Sequence, residues 1–152
     1  MHRRAVIRRA VIDALKLNPS ATPVIDGQVY PATGETVPVY NVNAGDESMV
    51  EEERIMQPAG GTKWLQHRAV EFEIECRANG EEVADSLDQM ALEAEQELGK
   101  DLTLGGACDK IEYSGTTAPE HTGELEKPYG LITLTYVALY RVDARDPQAL
   151  ED

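Results

Sequence analysis

His67-Arg-Ala-Val-Glu-Phe-Glu-Ile-Glu-Cys-Arg-Ala78 runs into the turn dipeptide Asn79-Gly80, and there the hydrophobic period changes. Before the turn, Val70, Phe72, Ile74 and Cys76 alternate with Glu71, Glu73, Glu75 and Arg77. Strict period-two alternation predicts a strand with one apolar and one charged face. After the turn, Val83, Leu87, Met90, Ala91, Ala94 and Leu98 recur at three- and four-residue spacing, which places them on one helical stripe. Glu81 and Glu82 are expected in the first turn, where the helix dipole favours negative charge, and Gly99 is expected as the C′ residue. The other elements are expected to pair with this strand or to cover its apolar face.

Working outward, residues 131–142 alternate over twelve positions. Ile132, Leu134, Tyr136, Ala138, Tyr140 and Val142 fall on one face and Thr133, Thr135, Val137, Leu139 and Arg141 on the other. The two long strands are expected to pair at the sheet centre. Residues 3–17 read as a first helix with Ile7, Ala10, Val11, Ala14 and Leu15 inward, ended by Asn18-Pro19. Short strands are expected at 23–25, 28–30 and 37–42, with turns at Asp26-Gly27 and at 31–34. Pro38 cannot donate to a ladder, so the third of these begins at an edge or just past it. Leu102-Thr-Leu104 approaches a strand, residues 110–114 alternate cleanly, and 115–127 reads as a long polar connection.

The order predicts an α+β two-layer sandwich, a mainly antiparallel sheet with both helices on one face. One domain is expected over residues 1–142. It carries a long acidic loop at 43–63, which orders on contact with a partner, and a polar, fraying tail at 143–152.

The 152 residues are 28% charged and 41% hydrophobic, enough for an ordinary core. No apolar run approaches the roughly 20 residues of a membrane-spanning helix. Arginines interrupt the apolar residues of the N-terminus, which therefore lacks a signal-peptide core; a soluble intracellular chain is expected. Cys76 and Cys108 have no histidine at ligand spacing and read as structural thiols. The net charge is −14, yet residues 1–17 hold Arg3, Arg4, Arg8, Arg9 and Lys16 against Asp13 alone. So acidic a body repels phosphate, so nucleic acid could be gripped only by that first helix. Its arginines read as a solvated face, a subunit interface or a phosphate patch, in that order.

The chain contains no glycine-rich phosphate loop, Walker pattern or dinucleotide fingerprint. His2, His67 and His121 are far apart, with no neighbour pattern of a metal site or triad. Glu71, Glu73 and Glu75 read as a solvated or partner-facing strand surface rather than paired catalytic carboxylates. Glu51, Glu52 and Glu53 cannot all converge on one ion, because adjacent side chains diverge. No enzyme, metal or cofactor is expected.

Several strings nonetheless point to a family. Arg8-Arg-Ala-Val-Ile-Asp-Ala-Leu15 is followed by Val24-Ile-Asp-Gly27 and Val37-Pro-Val-Tyr-Asn-Val-Asn-Ala-Gly-Asp46. Then come Val70-Glu-Phe-Glu-Ile-Glu75, Ser86-Leu-Asp-Gln-Met-Ala91 and Leu134-Thr-Tyr-Val-Ala-Leu-Tyr140. In element order and size, over about residues 3–142, this resembles the tail terminator proteins of long-tailed bacteriophages, the lambda-type minor tail protein U group. The resemblance implies a ring, typically a hexamer, at the head-proximal end of the virion tail, assembled in the bacterial cytoplasm. Its partners would be further copies of itself, the tail tube protein and a head-completion or neck protein, with DNA only passing through the lumen. It carries no catalytic residues. The long acidic segment and the polar tail depart from the family pattern.

A cyclic assembly needs two different surfaces of one chain to meet. The expected interface set is Arg3, Arg4, Arg8 and Arg9 against Asp46, Glu47, Glu51, Glu52, Glu53, Glu71, Glu73 and Glu75. Another neck protein or a soluble small-ligand module are the rival readings.

Overall fold

The computed structural model describes residues 1–27, 38–121 and 130–148. The elements in chain order are α1 (Arg3–Leu15), β1 (Val24–Asp26), β2 (Val39–Met56), β3 (Thr62–Ala78), α2 (Val83–Gly99), β4 (Lys110–Thr116), β5 (Glu120–His121) and β6 (Gly130–Asp143). The sheet order is β1-β2-β3-β6-β4, and β5 also lies along β6. Every pairing is antiparallel except β1 with β2. This is the expected α+β architecture, with β3 and β6 paired at the centre. Their register runs from Leu65↔Asp143 to Ala78↔Gly130.

The alternation of β3 has the expected consequence. Val70, Phe72, Ile74 and Cys76 are buried, as are Ile132, Leu134, Tyr136, Ala138, Tyr140 and Val142 of β6. Helix α2 covers this face with Leu87, Met90, Ala94 and Leu98, and α1 adds Ile7, Val11, Ile12 and Leu15. Burying each such side chain stabilises by about 1.5–3 kcal/mol. Tyr40 ties sheet to helix, its hydroxyl donating to the Met90 carbonyl at 2.6 Å. Among the described residues no helix is long and apolar enough to cross a membrane.

Several expectations are corrected. Residues 43–63 form no loop: they are most of β2, a tight turn and the start of β3. The Gln57 amide donates to the Gly61 carbonyl and the Gly60 amide to the Gln57 carbonyl, with Gly60 and Gly61 both at positive φ. Two glycines permit a reversal that side-chain-bearing residues resist. Leu102-Thr-Leu104 is turn rather than strand, closed by Asp101, whose carboxylate accepts from the Thr103 and Gly105 amides at 2.9 Å. Helix α1 stops at Leu15, where the Asn18 side chain donates to the Leu15 carbonyl at 2.7 Å. Helix α2 starts at Val83 with Glu82 as N-cap, and Gly99 is its last helical residue instead of a left-handed C′.

The tail is also anchored further than expected. Asp143 belongs to β6, the Ala144 amide donates to the Trp64 carbonyl, and Gln148 meets the N-terminus. The expected 115–127 connection is shorter than predicted at its start, since Gly115 and Thr116 end β4 and Glu120–His121 form β5. The expected strand at 28–30, the turn at 31–34, Val37, residues 122–127 and residues 149–152 lie outside the described residues.

Candidate functional site

The most distinctive feature is the β2–β3 hairpin. Strand β6 accompanies β3 only as far as Leu65↔Asp143, so the ribbon from Arg54 to Trp64 projects past the sheet. On the opposite side, β1 pairs only with Tyr40, Asn41 and Val42. Among the described residues, β2 from Asn43 to Met56 therefore has one edge without a strand partner. Such an edge invites another chain to pair, and natural proteins blunt it with charge and bulges. Both devices are present: register shifts interrupt β2 between Ala44 and Glu47 and between Met49 and Glu51, and Glu51, Glu52 and Glu53 follow directly.

The arm is apolar as well as acidic. Val50 and Met56 are 66% and 67% exposed, and Met49, Ile55 and Trp64 are exposed beside them. Arg54 lies over the Trp64 ring at 6.0 Å. Half of the large exposed hydrophobic side chains among the described residues thus lie along this hairpin, Met49 and Val50 on the open β2 edge and Ile55, Met56 and Trp64 on the projecting ribbon. Scattered surface hydrophobics are ordinary; five along one open strand edge and its ribbon are the kind of surface that contacts form on.

The second shift decides which glutamates share a face. Met49 opposes Arg68, Val50 is the extra residue, and Glu51 then opposes His67. Without it, Val50 and Glu52 would lie on the His67 face. As built, Glu51 and Glu53 do, while Glu52 accepts from Gln66 Nε2 at 2.9 Å on the other face. His67 Nε2 lies 2.9 Å from Glu53 Oε1, and one ligand atom from each of Glu51, Glu53 and His67 lies within 4.8 Å of the others.

The remaining predicted residues are spread over several parts of the surface. Arg3 donates to the Gln148 carbonyl at 2.8 Å, and Arg8 pairs with Asp26 at 2.9 Å. Arg4 and Arg9 are exposed and make no side-chain ion pair among the described residues. Arg3 and Arg4 occupy the first turn of α1, where the dipole disfavours cations by about 0.3–1 kcal/mol. The His2 ring caps that turn instead, Nδ1 accepting from the Arg4 amide at 3.0 Å. Asp46 is exposed, and half-buried Glu47 lies 3.9 Å from His2. Glu71 and Glu73 line the uncovered sheet face beside Val137 and Thr135, whereas Glu75 is drawn into a 2.6 Å pair with Arg77.

A cleft of about 530 Å³ lies between α2 and the 20–22 turn, lined by Ser20, Thr22, Asn79, Ser86, Gln89 and Glu93 among others. Glu93 is buried, and its carboxylate accepts from the Ser20 amide at 2.9 Å and hydroxyl at 2.8 Å. That contact holds the turn against the helix, and Glu93 is satisfied by it.

The hairpin arm and the Glu51–Glu53–His67 group were missed in sequence because a polar, glutamate-rich run lacks alternation. The available signal was the turn: Gln57-Pro-Ala-Gly-Gly61 joining two runs, from which counting outward pairs position 51 with 67. No family model matches the chain, and no curated protein matches it.

Proposed function

We propose that the chain is a structural protein that assembles with copies of itself into a ring, a tail terminator of a long-tailed phage as its sequence resemblance implies. One observation carries the assembly reading: an unpartnered β2 edge with exposed Met49 and Val50 that runs out into a two-stranded arm with exposed Ile55, Met56 and Trp64. Beside this apolar surface, Glu51, Glu52 and Glu53 carry charge opposite to that of Arg4 and Arg9 on α1. Two unlike surfaces of complementary sign are what a closed head-to-tail ring requires. The bulges make simple strand addition along the whole edge unfavourable, so side-chain contacts of the arm carry the interface.

In this reading the ring, a hexamer, sits on the completed tail tube at the head-proximal end of the virion, stops tube growth and presents a surface to a neck protein. Acidic lumen walls let DNA pass without adhering. The role is structural, not catalytic. Co-sedimentation with purified tail tubes and with DNA-filled heads tests it. Binding to tubes and arrest of their elongation is the expected result. Binding to heads alone would assign the chain to another neck component instead.

The cleft beside Glu93 favours a second reading, a small-ligand module. It predicts a strict monomer whose melting temperature rises with a polar metabolite.

A further inference from the structure

We infer that Glu51, Glu53 and His67 form a binding site for a zinc-like divalent cation on the β2–β3 ladder at the base of the hairpin arm. The ligand atoms come from adjacent strands in fixed register, with Glu51 directly across from His67 and Glu53 two residues along the same face. One atom from each lies within 4.8 Å of the others. Donors around one ion at about 2.0–2.2 Å lie roughly 3.5 Å apart, a closure that two exposed glutamate side chains supply by small rotations.

The pairing of His67 with Glu53 at 2.9 Å accounts for those two residues alone. Glu51 remains: a second carboxylate brought beside the first by a bulge, with no ion pair or hydrogen bond among the described residues. Without that bulge, Val50 would take its place opposite His67. Like charges this close destabilise each other, and a cation between them reverses the sign. The donor chemistry selects the ion. An imidazole nitrogen with two carboxylates suits zinc and its borderline neighbours, whereas calcium and magnesium take oxygen ligands almost entirely. Three protein donors leave the remaining positions to water. Both cysteines are buried in the core and do not compete in the folded chain.

Calorimetric titration of the full chain with zinc chloride, and separately with magnesium chloride, tests the site. The expected result is one zinc per chain, no comparable magnesium binding, and shifts of the His67 ring resonances in NMR. His67→Ala and Glu51→Gln should each weaken zinc binding by about tenfold or more. Glu52→Gln, on the opposite face, should leave it unchanged. All three positions lie outside the core, and far-UV circular dichroism checks that each variant folds. Absence of zinc binding, full retention in His67→Ala, or equal loss in Glu52→Gln and Glu51→Gln would each overturn the assignment.

Discussion

Phe72 on β3 and Tyr136 on β6 are cross-strand partners whose rings stack, with centroids 5.6 Å apart and planes within 5°. Tyr113 of β4 meets Tyr136 edge-on at 5.7 Å, so three consecutive strands are joined through one aromatic row. Both central rings are buried beneath the helices. Truncating the first leaves a cavity that its neighbours fill only in part. Phe72→Ala is therefore expected to cost about 3–5 kcal/mol. Urea melts of the two proteins measure it, and a loss under 1 kcal/mol would show that this row does not anchor the sheet.

Gly130 opens β6 directly under α2. A Cβ there would come within 2.9 Å of Val83 Cγ2 and 3.4 Å of Leu87 Cδ1. Gly130→Ala is expected to destabilise by about 1–3 kcal/mol through overpacking. The paired change Gly130→Ala with Val83→Ala should recover part of that loss in the same melts.

The central strands and both helices were legible because each writes a clean period. Val70 to Cys76 alternate, Leu87 to Leu98 recur every three or four residues, and burial follows both patterns. The arm was illegible because it lies outside the core. Nothing selects apolar alternation in Glu51-Glu52-Glu53-Arg54, where both faces of the ribbon meet water. Its strand character comes from backbone pairing with β3 across the Gln57–Gly61 turn, which side-chain composition does not record. The buried Glu93 escaped for the opposite reason: its partner, the Ser20 amide, is 73 positions away.

Burial first, and neighbouring carboxylates second, push the thiols of Cys76 and Cys108 up to about 12 from a usual 9.0. A thiol held neutral in the folded state contributes stability that is complete below pH 9 and lost as pH rises toward 12. Tyr40 and Tyr136 are raised by burial in the same sense. Stability should thus fall steadily above pH 9. At pH 8 an aromatic disulfide reagent should label neither cysteine in the native protein and both in denaturant. Rapid native labelling would mean the core is open.

Asp143 shifts the other way. Hydrogen bonds from the Arg145 side chain and amide, at 2.8–3.1 Å, hold its carboxyl down to about 2 from a usual 3.8. Its contribution is present above pH 3.8 and disappears as pH falls toward 2. Asp143→Asn should flatten the acid limb of the stability curve between those values while leaving the alkaline limb intact. An unchanged acid limb would remove this pair from the account.

Assembly through the arm is the central claim, and absolute mass by light scattering tests it most directly. Measured over a range of protein and salt concentrations, the chain is predicted to reach about six times its 16.7 kDa mass. High salt should lower that mass by screening the arginine–glutamate contacts. Val50→Lys, on the exposed β2 edge, should leave a folded monomer. A wild-type chain that stays monomeric at every concentration, or a Val50→Lys variant that assembles as well as wild type, would contradict the account.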